Sequence, residues 1–450
     1  MTAKSTTAAP GANAALGMST FAFTACFAVW TIFSIIGVRI KQDLGLSEAE
    51  FGLLAGTPIL TGSLIRVPLG IWTDQIGGRL VSLLVMLSAA LATFLLSYAE
   101  TYPQFLVAAL GVGLAGGCFS VGVAYVSKFF SKKAQGTALG IFGAGNVGAA
   151  VTKFAAPFVM LALGWQAVAQ IWAGALALIA VVAFLVTKDD PELLERRRTG
   201  AKATPALMQL SPLRKLQVWR FALYYFFVFG AFVALALWLP HYLVAVYHLD
   251  IVAAGMLAAA YSIPGSLFRV VGGWLSDRIG ARKVMYITFG VSVVCTFLLA
   301  YPATTYVVDG IEGPITFRLA TGLVPFVAIL FCLGFAMSLG KAAVYKHIPV
   351  YYPEHIGSVG GLVGMIGGLG GFILPIAFGA LNDLTHVWTS CFMLLFALVT
   401  TALAWMHFAI RRMERERTPS LRDLPELPEM AGLKPNPAPL RASAAAQAAE

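Results

Sequence analysis

Twelve stretches of about 20 mainly apolar residues run through this 450-residue chain. Each is long enough to cross a bilayer as a helix. The expected spans are residues 19–38, 51–72, 80–99, 104–127, 137–160, 166–187, 220–244, 251–275, 284–304, 319–344, 356–380 and 387–410. Only 12% of residues are charged, about half the share of a soluble domain. The predicted fold is an all-α membrane protein of twelve transmembrane helices in two pseudo-symmetric six-helix bundles.

The pseudo-symmetry is written in the chain. Ser63–Val81 (SLIRVPLGIWTDQIGGRLV) and Ser266–Val284 (SLFRVVGGWLSDRIGARKV) align without a gap, 203 residues apart, with ten identities. Arg66 matches Arg269, Asp74 matches Asp277, Gly77 matches Gly280 and Arg79 matches Arg282. Each first arginine lies within an apolar span, where an ionisable side chain is expensive and marks a functional site by default. Two of them, related by a repeat, point to one central site built from both halves. A weaker repeat joins GLAGGCFSVGVAYV (113–126) to GFAMSLGKAAVYKH (334–347), and glycine-rich segments follow at 136–150 and 357–371. Small residues let membrane helices approach closely, so packing is one reading of these glycines. A narrow cavity between flexible helices is the other.

The formal net charge is +10. With both termini cytoplasmic, Lys128, Lys132, Lys133, Lys188, Arg196–Arg198, Arg214, Lys215, Arg278, Arg282, Lys283, Arg411 and Arg412 all lie inside, while outer loops hold Arg39, Lys41 and Arg318. That asymmetry is the positive-inside pattern. It accounts for the basic excess without nucleic acid and predicts a multi-pass protein of the cytoplasmic (inner) membrane. The expected organisation is a disordered cytoplasmic N-terminus (1–18), a six-helix bundle (19–187), a cytoplasmic linker (188–219), a second bundle (220–410) and a disordered cytoplasmic tail (411–450). The N-terminus lacks the pattern of a cleaved signal, so the first span is expected to serve as an uncleaved signal-anchor. Five scattered cysteines form no C-x-x-C pair, and neither a metal nor a cofactor is expected. The chain is expected to act as a monomer.

The motif GxxxDxxGxR occurs twice, as Gly70, Asp74, Gly77, Arg79 and as Gly273, Asp277, Gly280, Arg282. With the 6+6 layout, it resembles the major facilitator superfamily over residues 19–410. The resemblance implies two bundles rocking around a midplane site. GTALGIFGAGNVGAAVTKFAAP (136–157) and GSVGGLVGMIGGLGGFILPIAFG (357–379) look like the paired signatures of the nitrate/nitrite porters, the NarK-like family. That likeness implies that Arg66 and Arg269 bind the anion. It carries Asn146, Gly143 and Gly145 over as signature residues of helix 5, and Phe119 as the helix 4 aromatic. Tyr225 and Phe229 match aromatics that enclose the anion. The second signature brings Gly364, Gly367, Gly368 and Gly370, with Gly367–Gly368 near the place corresponding to Asn146. LALWLPHYL (235–243) resembles the proton-coupled branch.

Chemistry alone reads the same residues similarly. The predicted spans contain Arg66, Lys153, Arg269 and Lys341 but no acid at comparable depth, so an anion from outside the protein is the natural partner. Guanidinium is planar, permanently charged and suited to bidentate oxyanion contact. A small planar monoanion such as nitrate or nitrite fits; chloride, formate and bicarbonate stay open. Each residue also has a structural reading. For either arginine it is a bond to backbone carbonyls. For Asn146 it is a bond to a neighbouring helix. Lys153, two turns after Asn146 on the same face, either lines the pathway or snorkels outward. Lys341, near the inner end of its span, is expected to snorkel. His241 is expected to be an interfacial residue.

Importing a monoanion against about 150 mV costs roughly 3.5 kcal/mol, so uptake must be coupled. Proton symport and nitrate/nitrite exchange both satisfy this, and proton-coupled uptake is the expectation. Lys153, Lys341 and His241, in that order, are the candidates to carry the proton. A porter of another small anion, a non-transporting anion sensor and a membrane enzyme are the competing classes. No His/Asp/Glu or Ser/His cluster supports the enzyme.

Overall fold

The structure is a computed structural model that describes residues 9–130, 135–199, 215–351 and 356–417. It contains twelve helices long and apolar enough to cross a membrane. We number them spans 1 to 12: Ala12–Trp30, Glu48–Gly70, Gly78–Leu96, Tyr102–Ser127, Ala138–Leu163, Trp165–Val186, Leu216–Tyr247, Ile251–Ile279, Ala281–Ala300, Leu323–Ile348, Val359–Thr385 and Ser390–Arg412. Helices satisfy every interior backbone group within one segment, which is what a bilayer demands. Spans 1–6 form one bundle and spans 7–12 the other. The even number of spans puts the start of span 1 and the end of span 12 at one face, called here the terminal face.

Several boundaries differ from expectation. Span 1 starts at Ala12, inside the segment expected to be disordered, and ends at Trp30. A 3₁₀ turn (Ile32–Ser34) and a short helix (Ile36–Leu44) follow it. The last helix runs on to Arg417, past the expected end at 410. Much of the linker and tail, residues 200–214 and 418–450, lies outside the described residues. The described part of the linker includes a short helix, Pro191–Thr199. The all-α reading also misses an exposed hairpin between spans 9 and 10. Strand β1 (Thr304–Gly310) pairs antiparallel with β2 (Gly313–Leu319). Gly313 closes its turn at φ +130°, a value that suits glycine.

The sequence repeat is a structural repeat. In span 2 the helix breaks at Ile65, directly before Arg66. In span 8 it breaks at Phe268, directly before Arg269. Ile65 (φ −71°, ψ −11°) and Phe268 (φ −72°, ψ 3°) share nearly one conformation. In the first copy Pro68 has no N–H to offer the Leu64 carbonyl, which favours the break. Gly77 (φ +96°) and Gly280 (φ +88°) then turn the chain into spans 3 and 9. Both motif glycines therefore hold a left-handed conformation that a side chain would strain.

The two bundles meet along span 2 against span 11 and span 5 against span 8. Toward the face away from the termini, these contacts are backbone to backbone. A Cβ on Gly52 would run into the Pro375 carbonyl, one on Gly379 into that of Glu48, and one on Gly255 into that of Lys153. The bundles are thus closed at the face away from the termini.

Candidate functional site

Arg66 and Arg269 are buried, at 3% and 7% exposure, and they converge from the two bundles on Phe119. The Arg66 guanidinium carbon is 5.3 Å from the Phe119 ring centre and that of Arg269 is 5.8 Å away. Arg66 also faces Phe229 at 5.5 Å and Trp30 at 5.8 Å; Arg269 faces Tyr345 at 5.7 Å. Each such contact is worth about 0.5–2 kcal/mol, far less than the cost of burying a charge. No carboxylate contacts either guanidinium among the described residues.

Each arginine reaches the glycine-rich helix of the opposite bundle. Arg66 Nη1 donates to the Gly364 carbonyl at 2.7 Å, so the carbonyl reading holds for that one nitrogen. Its Nε has no partner among the described residues. Arg269 lies against Gly143, where a Cβ would stand 3.0 Å from Nη1 and 3.1 Å from the guanidinium carbon. Arg269 Nη1 likewise has no partner among the described residues. A Cβ on Gly368 would strike Ser63 Oγ and come within 3.4 Å of Arg66 Nη1; one on Gly364 would lie 2.8 Å from the Tyr345 hydroxyl. Gly143, Gly364 and Gly368 are therefore small because functional groups lie against them. The other signature glycines serve packing: Gly145 admits Phe23, Gly367 admits Tyr225, and Gly370 meets the Gly230 backbone.

Asn146 is fully buried in a 3₁₀ stretch (Ala144–Val147) that interrupts span 5, one turn beyond Gly143. Neither of its amide atoms has a partner among the described residues, so the alternative reading, a bond to a neighbouring helix, is not seen there. A buried polar group without a partner costs about 1–3 kcal/mol. The unpartnered polar atoms of Arg66, Arg269, Asn146 and Ser63 lie on spans 2, 5 and 8, the helices along which the bundles face each other. The aromatic wall comes from span 7. Tyr225 stacks on Phe229 at 5.1 Å and 14°, across a six-residue π-helical stretch, Phe226–Ala231. Such wide turns often mark functional sites. Tyr345 meets Tyr225 edge-on at 4.9 Å.

The remaining candidates lie apart. Lys153 is fully buried; its Nζ donates to Ser262 Oγ of the opposite bundle at 2.9 Å and to the Ala149 carbonyl at 3.2 Å. Lys341 is equally buried, donating to the Gly265 carbonyl at 2.7 Å, with Nζ 3.0 Å from the Phe232 ring centre. Snorkelling is excluded for both, because span 8 supplies each ammonium with an acceptor. His241 is also more than an interfacial residue: it is 7% exposed and its Nε2 lies 2.7 Å from Glu48 Oε2. At the terminal face, Arg79 Nε donates to the Phe184 carbonyl at 2.8 Å and Asp277 pairs with Lys346. Gly70 and Gly273 face open space. The side chain of Asp74 lies outside the described residues.

Sequence reasoning missed Ser63, Trp30, Tyr345 and Glu48. Ser63 was within reach, because Ser63 and Ser266 are identical positions of the repeat, three residues before each arginine. Glu48 stands among other polar residues in a loop-like stretch, and nothing local sets it apart.

The fold and its paired buried arginines are those of a secondary transporter with two homologous halves, and residues 18–324 match the Major Facilitator Superfamily. Solved structures with the same fold include a bacterial homologue of the human lysosomal transporter Spinster, inward-facing and unoccupied. It has a TM-score of 0.67 at 16% identity, over 91% of this chain and 99% of that one. The nucleoside transporter NupG follows with a TM-score of 0.65 at 15% identity, over 87% and 99%. Much greater sequence identity links the chain to the probable nitrate/nitrite antiporter NarK1 of Thermus thermophilus, 40% over 91% of this chain and 94% of that protein. The probable nitrate/nitrite transporter NarK2 of Mycobacterium tuberculosis strain H37Rv is 33% identical over 83% and 90%. The nitrite extrusion protein of Bacillus subtilis is 30% identical over 88% and 95%. Within the superfamily, the chain belongs to the NarK-like nitrate/nitrite porters.

Proposed function

We propose that this chain carries nitrate, and nitrite, across the cytoplasmic membrane by alternating access, and that uptake is coupled to protons. One observation carries the substrate reading. Two buried guanidinium groups from matched positions of the two bundles share one aromatic ring, with no carboxylate against either among the described residues. Arg66 and Arg269 hold the anion, Asn146 and Ser63 add neutral hydrogen bonds, and Phe119, Tyr225 and Phe229 form walls that suit a flat ion. Gly143 and Gly364 leave room for the guanidinium groups, while Gly145 lets span 1 close on the site. The names of the similar porters support nitrate and nitrite over chloride, formate or bicarbonate. The two GxxxDxxGxR motifs act as the conformational switch at the terminal face. That face is cytoplasmic, by the distribution of lysine and arginine, and the working unit is one chain.

For coupling, Lys153 is the first candidate and Lys341 the second. Both are buried cations held by neutral acceptors on span 8, the helix that carries Arg269. A lysine in such a place can exist neutral and take up a proton as the anion arrives. Nitrate/nitrite exchange is the second reading. It is favoured by the lack of a carboxylate against either arginine and by the antiporter name of the Thermus protein. Uptake into proteoliposomes separates the two. Symport predicts that an inward proton gradient drives nitrate accumulation and that Lys153→Gln loses this response while keeping exchange. Exchange predicts acceleration by internal nitrite and indifference to the gradient. Absence of nitrate counterflow would reject both.

A further inference from the structure

The closed face carries a second cluster of ionisable groups, 18 residues along span 2 from Arg66. Glu48 opens span 2, in the first bundle; His241 lies on span 7, in the second. Their side chains are mostly buried, at 15% and 9% exposure, and meet at 2.7 Å. Phe51 at 4.6 Å, Trp388 at 5.4 Å and Trp238 at 5.7 Å enclose the imidazole. Burial strengthens a charge-assisted contact and keeps it from salt screening. Opening this face must pull the two residues apart, because they belong to different bundles.

The neighbouring charges are few and their partners are known. Lys41, on the short helix Ile36–Leu44, contacts Glu48 Oε1 at 3.2 Å and donates to the Leu46 carbonyl. Asp383, on span 11, accepts from the backbone N–H groups of Glu48 and Ala49 at 3.2 and 2.9 Å. Glu50 is used in the capping box with Ser47. Arg39 and Asp43 pair with each other and are exposed. His386 follows Asp383 in the chain, and its N–H donates to the Asn382 carbonyl. Glu48 is therefore the carboxylate that receives two side-chain cations, one from its own bundle and one from the other. Asp383 crosses between the bundles too, but it holds backbone N–H groups, the usual dress of a helix start.

We propose that Glu48 and His241 form a proton-binding site that latches the face away from the termini. An ionised Glu48 accepts from His241 and Lys41 and holds the bundles together. A proton on the Glu48 carboxyl removes the negative charge on which both contacts depend and turns one of its two oxygens into a donor, and the face is freed to open. The direction follows from this balance. The latch holds while the carboxylate is ionised and fails as pH falls through the titration of that carboxylate in the closed state. This holds whether transport is symport or exchange.

Spin labels at Leu44→Cys and Leu384→Cys, on the exposed ends of the two bundles, report the opening when exposed Cys332 is replaced by Ser. Distances are measured in the full-length protein in lipid. Between about pH 7 and about pH 3.5, a window that spans the carboxylate range, the ratio of far to near populations should rise about tenfold, the weight of one hydrogen bond to a charged group. Glu48→Gln should show the far population already at about pH 7 and lose the acid response. Asp383→Asn should keep that response. His241→Gln, which serves if Glu48→Gln does not fold, should raise the far fraction severalfold at about pH 6. The proposal fails if the wild-type distances ignore pH, if Glu48→Gln stays closed and still responds to acid, if Asp383→Asn abolishes the response, or if His241→Gln changes nothing at about pH 6.

Discussion

Arg66 and Arg269 occupy identical positions in the two copies of one segment, follow the same break in their helices, and yet are held differently. Arg66 has a protein partner, the Gly364 carbonyl at 2.7 Å. Arg269 rests on Gly143 with its Nη1 unpartnered. Facing helices differ in the same sense. The helix opposite Arg269 carries Asn146 with both amide atoms unpartnered, whereas the helix opposite Arg66 brings glycines and a backbone carbonyl. The repeat places the charges in pairs, and the helices facing them make the two sides unequal. In the proposed site, Arg269 and Asn146 would receive the anion with free groups, while Arg66 would give up or share a bond that it already has.

The largest expected effect treats the two arginines alike. Lysine keeps the charge but loses the planar fork, so Arg66→Lys and Arg269→Lys should each nearly abolish nitrate uptake at normal expression. Uptake within about twofold of wild type in either variant would move that arginine out of the proposed site. Asn146→Ala comes next. It removes a neutral donor to an anion, worth about 1.5–3 kcal/mol, and should raise the half-saturation concentration about tenfold or more. If the variant is instead lost from the membrane, the role of Asn146 is packing.

Glycine substitutions sharpen the difference between the sides. A methyl at Gly143 meets the end of a flexible guanidinium at 3.0 Å, so Gly143→Ala should fold and weaken nitrate affinity severalfold. A methyl at Gly367 meets the ring and backbone of Tyr225, so Gly367→Ala should lower thermal stability. Equal loss of stability in both would erase the distinction between glycines that serve the site and glycines that serve packing. The smallest effect is expected from Ser63→Ala, a few-fold rise in half-saturation. Ser63 offers one hydroxyl beside a guanidinium that already has other contacts.

Legibility in the sequence followed the same divide. The spans were readable because a bilayer imposes length and apolarity on each of them. The arginine pair was readable because the repeat aligned them inside apolar segments. The ends of spans 1 and 12 were less so, since a helix can outlast its apolar stretch once it leaves the lipid. The hairpin Thr304–Leu319 has β-branched runs flanking a G-I-E-G turn; it fell between the expected spans 284–304 and 319–344 and was passed over as a connection. Lys153 and Lys341 were misjudged as possible snorkellers, because hydropathy does not reveal that span 8 offers Ser262 and Gly265 as acceptors. Glu48 was invisible for the same reason: its meaning comes from His241, 193 residues away.

The central claim is that Arg66 and Arg269 together hold one planar anion between the bundles. Equilibrium dialysis of isotopically labelled nitrate against the purified protein tests it without recourse to coupling or orientation. The wild-type chain should bind one nitrate, nitrite should compete for it, and the Arg66→Lys/Arg269→Lys double variant, folded by its thermal melt, should bind none at the same concentration. A folded double variant that binds nitrate with unchanged stoichiometry and affinity would contradict the account.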